Sequence, residues 1–276
     1  MIYPVTTHTI VKNEEKFIWY ALESVVDHVE KMLIVDTGST DKTVQLIKEF
    51  IKTHSDKKII FTSTQISSPR EINKLRALQI KQTKTPWFLL LDGDEIWPKT
   101  QLLKLLNRTQ TANSTTLAVV NRTHNCIGDI WHYLPEKFGS YNLAGRSGHL
   151  NIRLMRTRNY TLKGQYPLEG YYYQNKLINN TPGNLEYSET WYLHLTHLSR
   201  TSKPDKTFGR RQAIYSLGLT HSRNELPEVI FAPVPKFAQK VTRKRSLAYT
   251  TKAVAYDLLR LAKKHMQYFA PAQSEE

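Results

Sequence analysis

Over its first hundred residues the chain alternates between short apolar runs and stretches with apolar residues at helical spacing. Thr6 to Val11 reads as a first strand, and Lys12-Asn13-Glu14-Glu15 as the start of a helix. Asn13 can cap it, and two glutamates suit the positive end of the helix dipole. Phe17, Ala21, Leu22, Val25, Val26 and Val29 then recur every three or four positions. Lys31 to Val35 is a second strand, ending at Asp36. Thr37 to Asp41 turns the chain, and Asp41 or a neighbouring hydroxyl caps a helix that points Val44, Ile47, Phe50 and Ile51 inward. Ile59 to Phe61 is the third strand. Ser68-Pro69-Arg70-Glu71 has serine at the cap, proline at the first helical position and glutamate three residues on, which is a capping box. The helix it opens is predicted to bury Ile72, Leu75 and Leu78 and to run to about Lys84.

The run Trp87-Phe88-Leu89-Leu90-Leu91 has no polar break and suits a strand buried on both faces. It stops at three carboxylates, Asp92, Asp94 and Glu95. The order β-α-β-α-β-α-β predicts a mostly parallel sheet with right-handed crossovers. Asp36, the helix near Arg76 and the Asp92/Asp94 pair would then gather along its carboxyl edge, where open α/β sheets bind ligands.

Past Pro98 the pattern loosens. Leu102 to Leu106 is a short helix and Thr116 to Val120 a strand, with strand-like pieces at Ile152 to Met155 and Tyr171 to Tyr173. Trp191 to His197 alternates, which puts His194 and Leu195 on opposite faces of a strand. The tail differs in kind: from Lys236 to His265 there are nine Lys/Arg against one acid, Asp257. Val254, Leu258, Leu261, Ala262 and His265 form a stripe, with Lys252, Arg260, Lys263 and Lys264 elsewhere around the helix. Such a helix either lies on an anionic membrane or packs its stripe on the domain. The expected organisation is a domain over 1–225, divided into halves over 1–110 and 111–225, followed by a basic amphipathic region over 226–276.

Composition narrows the classes. The 276 residues suffice for a large core, and 40% hydrophobic with 11% aromatic content excludes wholesale disorder. No stretch approaches the roughly 20 apolar residues of a membrane span. The amino terminus lacks the charged region and apolar core of a secretory signal. The single cysteine, Cys126, excludes an internal disulfide and fits a reducing cytosol. The expected location is therefore cytoplasmic, peripheral on the inner membrane face if the tail docks there. A net charge of +15 implies an anionic partner. A nucleic-acid-binding protein would account for that charge, but the chain shows no helix-turn-helix, zinc-ligand set or paired-aromatic motif, and no nucleic-acid partner is expected. Nucleotidyl transfer would call for a glycine-rich loop after the first strand, where this chain has Lys12-Asn13-Glu14-Glu15.

Crowded carboxylates repel unless a cation or hydrogen-bond donors compensate them. Two flanking a glycine, as in Asp92-Gly93-Asp94, can share a hard divalent ion that also holds phosphate oxygens; alternatively they form a solvated acidic turn.

Three blocks together, Ile10-Val11-Lys12-Asn13-Glu14-Glu15, Ile34 through Thr43, and Trp87 through Glu95, resemble the family 2 glycosyltransferases of the GT-A fold. The subgroup resembled is that of bacterial lipopolysaccharide-core and envelope-glycan enzymes. The resemblance implies a nucleotide-sugar donor, UDP-sugar being favoured, and a divalent cation, Mn2+ or Mg2+. It also implies inversion at the anomeric carbon and a glycan or lipid-linked acceptor, with 1–110 as the nucleotide-binding half and 111–225 as the acceptor half. Carried over by position, Asp36 would contact the nucleotide base and Arg76 the nucleotide. Asp92 would face ribose and Asp94 bind metal. Arg153-Leu154-Met155-Arg156 followed by Gly164 to Glu169 is similar to a family block ending in His-Glu, with Leu168 in place of the histidine. That makes Glu169 the candidate base, with Glu136 and Asp129 as rivals. In His194-Leu195-Thr196-His197 one histidine would complete the metal shell, His197 ahead of His194. Arg76, or a basic loop residue such as Lys203 or Arg210, would help neutralise the leaving diphosphate.

Overall fold

The chain was analysed as a computed structural model, which describes residues 1–165, 169–181, 183–202 and 214–269. Leu168, Lys203 and Arg210 lie outside the described residues, as do the side chains of Lys263, Lys264 and His265. The alternating pattern of the first hundred residues folds as expected. β1 (Tyr3–Val11) pairs in parallel with β2 (Val29–Asp36) and with β4 (Trp87–Leu90), and β2 pairs in parallel with β3 (Ile59–Ser63). The crossovers carry α1 (Ile18–Glu23), α2 (Thr43–Thr53) and α3 (Glu71–Gln82). β5 (Glu95–Ile96), α4 (Lys99–Thr111), β6 (Ala118–Asn125), β7 (Leu150–Arg156) and β8 (Leu185–His194) complete the body. The eight-stranded sheet runs β3-β2-β1-β4-β7-β6-β8-β5. β7 is antiparallel to both of its neighbours, β4 and β6, while β8 runs parallel to β6. The architecture is thus α/β, Rossmann-like and mostly parallel, with a helical extension at the carboxyl end.

β4 is central because nothing in it is polar. Trp87, Phe88, Leu89 and Leu90 are all buried, and the fully buried Trp87, Trp97, Tyr20 and Tyr192 anchor the core on either side. Burying a side chain of this size contributes roughly 1.5–3 kcal/mol. Because β1 lies between β2 and β4, the chain changes direction across the sheet at the β1/β4 boundary. The carboxyl ends of those two strands carry Glu14 and Asp92, so the expected ligand edge is also the topological switch point.

Four local expectations are corrected. Asn13 does not cap a helix: it sits in the left-handed region at φ 56°, and α1 begins only at Ile18. The Asn13 side chain instead accepts a 2.8 Å hydrogen bond from the Thr40 N–H. In α3, Leu78 is 53% exposed, while Arg76 and Gln79 are buried. The reason is that this helix covers polar parts of the sheet. Gln79 Nε2 donates to the carbonyls of Thr9 and Leu33 at 3.2 and 3.0 Å. The capping box holds in part: Glu71 Oε1 accepts the Ser68 N–H at 3.0 Å, but the Ser68 hydroxyl accepts from Arg70. Finally, β8 ends at His194, and Leu195 to Leu198 form a turn closed by a 2.8 Å hydrogen bond.

Leu226 and Ile230 belong to the main core, and Phe231, Val234, Phe237 and Val241 pack against it. The segment after residue 225 is therefore seated on the main body, and the long helix α5 (Leu247–Phe269) starts beyond it.

The core also holds imidazoles. His8 is 2% exposed, stacks on Phe88 with ring centroids 4.4 Å apart, and shares a 2.6 Å hydrogen bond with Thr83. His124 is sandwiched between Tyr133 and Trp191 at 4.2 and 4.1 Å, with His221 beside them. Burial, and secondarily Arg76, pushes His8 down to about 3. Burial and then His221 push His124 down to about 3, and burial pushes His221 down to about 4. Between pH 6.5 and those values the unfolded chain binds protons that the native chain refuses, so stability is full above 6.5 and is lost as pH falls. The expected loss is on the order of a few kcal/mol by pH 4.5. Urea unfolding at pH 7.0, 5.5 and 4.5 should show it, with a shallower decline for His221→Asn; equal stability at all three values would refute it.

Candidate active site

The loops after β1 and β2 are zipped together by side chains taken from both. The Glu14 N–H donates to Thr43 Oγ1 at 2.7 Å and the Lys42 N–H to Glu15 Oε2 at 3.2 Å. The Thr37 N–H donates to the Val11 carbonyl at 2.9 Å. Asp36, 1% exposed, accepts hydrogen bonds from the N–H groups of Gly38 and Ser39 and from the Ser63 hydroxyl. Its carboxylate organises a turn in which Gly38 takes φ +95°, a conformation L residues rarely adopt.

Beside this zipper lies the loop after β4. Gly93 permits the approach: a Cβ there would stand 2.9 Å from Glu14 Cγ and from Val11 Cγ1. Around it gather Glu14, Asp92, Asp94 and Glu95, of which Asp94 and Glu95 are 4% and 0% exposed. Arginines from three separate segments answer them. Arg153, on β7, reaches Asp92 Oδ2 at 3.1 Å and holds Glu95 through Nε contacts of 2.9 Å to each carboxylate oxygen. Arg76, on α3, lies 3.9 Å from Asp92 Oδ1. Arg200 donates to Glu14 Oε1 at 2.6 Å.

The charge states follow from this geometry. Burial tends to raise the Asp92 carboxyl, but Arg153 and Arg76 outweigh it and hold the group below its ordinary range. Glu95 is pushed up to about 8 by burial, against the pull of Arg153, while Arg153 is held well above the usual arginine range by Glu95 despite burial. Those shifts disagree about how far the pair is ionised; the paired 2.9 Å contacts favour the charged pair, since arginine does not give up its proton in proteins. Glu14 is pushed well up by burial and then by Asp94, and its Oε2 is buried without a hydrogen-bond partner.

Each residue singled out from the sequence has a definite place. His194 Nε2 stands 3.8 Å from Asp94 Oδ1, and its Nδ1 shares a 3.1 Å hydrogen bond with Asn125. His197 lies on the turn after β8, three residues further on. Asp94 is buried, not at an exposed strand end. Glu169 Oε1 accepts a 3.0 Å hydrogen bond from Arg76 Nε, while its Oε2 is buried without a partner. Glu169 is thereby linked through Arg76 to Asp92. Asp129 is occupied elsewhere, accepting from the N–H groups of Trp131 and Arg245 and bonding His132. Glu136 accepts the His149 N–H at 3.2 Å and lies 4.0 Å from Arg122. The sequence reading gave no role to Glu14, Arg153 or Arg200. Glu14 and Arg153 lay inside blocks already singled out, and the only signal available was the unbalanced charge of the acidic loop.

Among the described residues, no three His, Cys, Asp or Glu side chains cluster at metal-holding spacing. The donor set nevertheless fits a divalent cation. Such an ion takes one or two protein ligands and completes its shell with water and phosphate oxygens. Asp94 and His194 offer two, and Glu14, paired with Arg200 through one oxygen, presents its other oxygen buried without a hydrogen-bond partner.

A profile described as Glycosyl transferase family 2 matches residues 6–176. Among solved structures, a mannosyltransferase from Pyrobaculum calidifontis in complex with GDP-Man and Mn2+ is similar at 16% identity. The match covers 56% of this chain and 45% of that one, with a TM-score of 0.40. TarS of S. aureus is similar at 15% identity over 70% of this chain and 36% of that chain, TM-score 0.47. Glucosyl-3-phosphoglycerate synthase from Mycobacterium tuberculosis, in complex with Mg2+ and uridine diphosphate, gives 15% identity, 45% and 44% coverage and a TM-score of 0.33. This chain spans less than half the length of each of the three. A comparison with curated proteins found no match. The family profile covers more than half of the chain and takes in β1 through the acidic loop and on to Arg153 and Glu169: this protein belongs to glycosyl transferase family 2.

Proposed function

We propose that the protein transfers a sugar from a nucleotide-sugar donor, UDP-sugar being favoured, to an acceptor hydroxyl, with inversion at the anomeric carbon. The acceptor class is an envelope glycan or a lipid-linked glycan, met from the cytoplasmic face of a membrane. The observation that carries the reading is the Asp92-Gly93-Asp94 loop at the switch point of the sheet, with His194 facing Asp94 at 3.8 Å. Family membership supports it independently.

In this reading Asp36 and Arg76 contact the nucleotide and Asp92 the ribose. Asp94 and His194 hold the metal, a choice over His197 that rests on the 3.8 Å approach of His194 to Asp94. A bound Mn2+ or Mg2+ would neutralise charge on the leaving diphosphate. Glu169 is the base: Arg76 fixes one of its oxygens, and the other is free to accept the acceptor's hydroxyl proton. Glu169 is favoured among the three candidate carboxylates because its hydrogen-bond donor, Arg76, also faces Asp92. Arg153 positions Asp92 and neutralises Glu95, so the loop keeps its shape before donor arrives.

Three measurements test this. A panel of UDP-, GDP- and dTDP-sugars with Mn2+ should raise the melting temperature for one base, because a ligand that binds only the folded state stabilises it. Asp94→Asn should abolish the Mn2+-dependent part of that shift; full activity of this variant at limiting Mn2+ would overturn the metal assignment. Glu169→Gln should lower kcat by ~10²–10⁴-fold with donor affinity retained, since a base acts in the transition state. Weaker donor binding of matching size would instead place Glu169 in the donor site. Arg153→Met should destabilise the fold by roughly 3–5 kcal/mol, because it strands a buried carboxylate. Denaturant unfolding that shows no loss would mean the Glu95 pair is not ionised.

A further inference from the structure

The largest concentration of exposed apolar side chains in the described molecule lies on α5. Leu247 is 84% exposed, Leu258 61%, Leu259 59%, Leu261 59% and Val254 40%. Leu247, Val254, Leu258 and Leu261 recur at seven, eleven and fourteen residues, which sets them on one helical face. A different face of the helix is the one docked on the body. Ala253 is fully buried, the Tyr249 hydroxyl donates to the Ile214 carbonyl, and Asp257 accepts the Leu217 N–H at 2.8 Å and the Ser216 hydroxyl at 3.1 Å. Asp257 is the only acidic residue between positions 236 and 269, and it is turned inward. The helix is therefore seated by its mixed face and presents its apolar face to solvent, the reverse of how an amphipathic helix covers its own core.

The segment leading into α5 is rich in exposed cations, Lys236, Lys240, Arg243 and Lys244. On the helix itself Lys252 and Arg260 lie away from the leucine stripe, over the Tyr215 and Phe138 rings, with Arg260 3.3 Å from Asp257. The segment before α5 is tied to the acceptor half by the Arg245 N–H on Asp129 at 2.7 Å and by Trp131 Nε1 on the Thr242 carbonyl at 3.0 Å. No helix among the described residues is long and apolar enough to cross a membrane.

We propose that the outward face of α5 is a docking surface for an anionic phospholipid membrane, with Leu247, Val254, Leu258 and Leu261 entering the acyl boundary and Lys236, Lys240, Arg243 and Lys244 of the segment before it meeting headgroup phosphates. Charge selects this occupant over a second copy of the chain: two chains of +15 would bring like-charged rims together, whereas an anionic surface neutralises them. Docking through α5 seats the acceptor half on the membrane. The inference rests on the sugar-transfer reading only for its purpose, the capture of a lipid-linked acceptor; the surface itself stands on exposure and charge.

The test uses the full chain in co-sedimentation with phosphatidylcholine vesicles, with and without phosphatidylglycerol. Wild type should bind the phosphatidylglycerol vesicles at low salt, bind phosphatidylcholine alone poorly, and release as salt screens the attraction. Leu258→Gln with Leu261→Gln, both at exposed positions, should lower binding on the order of tenfold while leaving the melting temperature unchanged. Lys236→Gln with Lys240→Gln should cost about fivefold for each lysine and flatten the salt dependence. Wild-type binding by the leucine variant, equal binding to neutral vesicles, or no binding at low salt would each overturn the proposal. So would a dimer in sedimentation velocity that the leucine variant dissolves, which would assign the face to a second copy. A Mn2+-dependent donor shift measured on the same preparations keeps the two readings apart: vesicle binding without that shift would sink the sugar-transfer reading alone.

Discussion

Four carboxylates meet at the carboxyl edge of a sheet whose central strand contains nothing polar. Left alone, Glu14, Asp92, Asp94 and Glu95 would repel one another where water cannot screen them. The fold tolerates the arrangement because arginines arrive from α3, from β7 and from the segment after β8: Arg76 and Arg153 both face Asp92, Arg153 also holds Glu95, and Arg200 meets Glu14. The compensation is incomplete by design of the geometry: Glu14 keeps one oxygen without a partner, and Asp94 has an imidazole as its neighbour in place of a guanidinium. The structure around the loop supplies enough positive charge to hold it together.

That balance also explains the polar helix face that packs on the sheet. A helix covering an ordinary apolar sheet would bury leucines, yet α3 buries Arg76 and Gln79 and exposes Leu78. Its inward side must serve two carbonyls and two carboxylates. Those unmet polar groups are costlier to leave alone than a leucine is to expose.

Here the legibility of the sequence divides cleanly. Strands β1 to β4 were readable because each is a local apolar run bounded by turn residues, and α3 because its serine, proline and glutamate sit within four positions. The acidic loop was readable for the same reason. What could not be read was which distant residue answers which local one. Arg153 is 61 residues from Asp92, and Arg200 is 186 from Glu14. Periodicity reports on neighbours along the chain and carries no information about such pairings. Asn13 failed for a subtler cause: capping chemistry was present, but Thr40 competed for its side chain and won. The tail posed a two-way choice, stripe inward or stripe outward, that amphipathicity leaves open and that only the docked position of Ala253 and Asp257 resolves.

The reversed strand β7 gives the protein a temporal problem as well as a spatial one. β4 and the acidic loop leave the ribosome some sixty residues before Arg153, and Arg200 follows later still. At roughly 5–20 residues per second, the nascent chain spends several seconds with its carboxylates unanswered and one edge of β4 without its β7 partner. An apolar strand with an open edge is a template for wrong pairing. The negative charges next to it then act as a gatekeeper, repelling a second nascent copy until the strand that neutralises them has been made. The same cluster that the arginines close over in the finished molecule would thus guard the unfinished one.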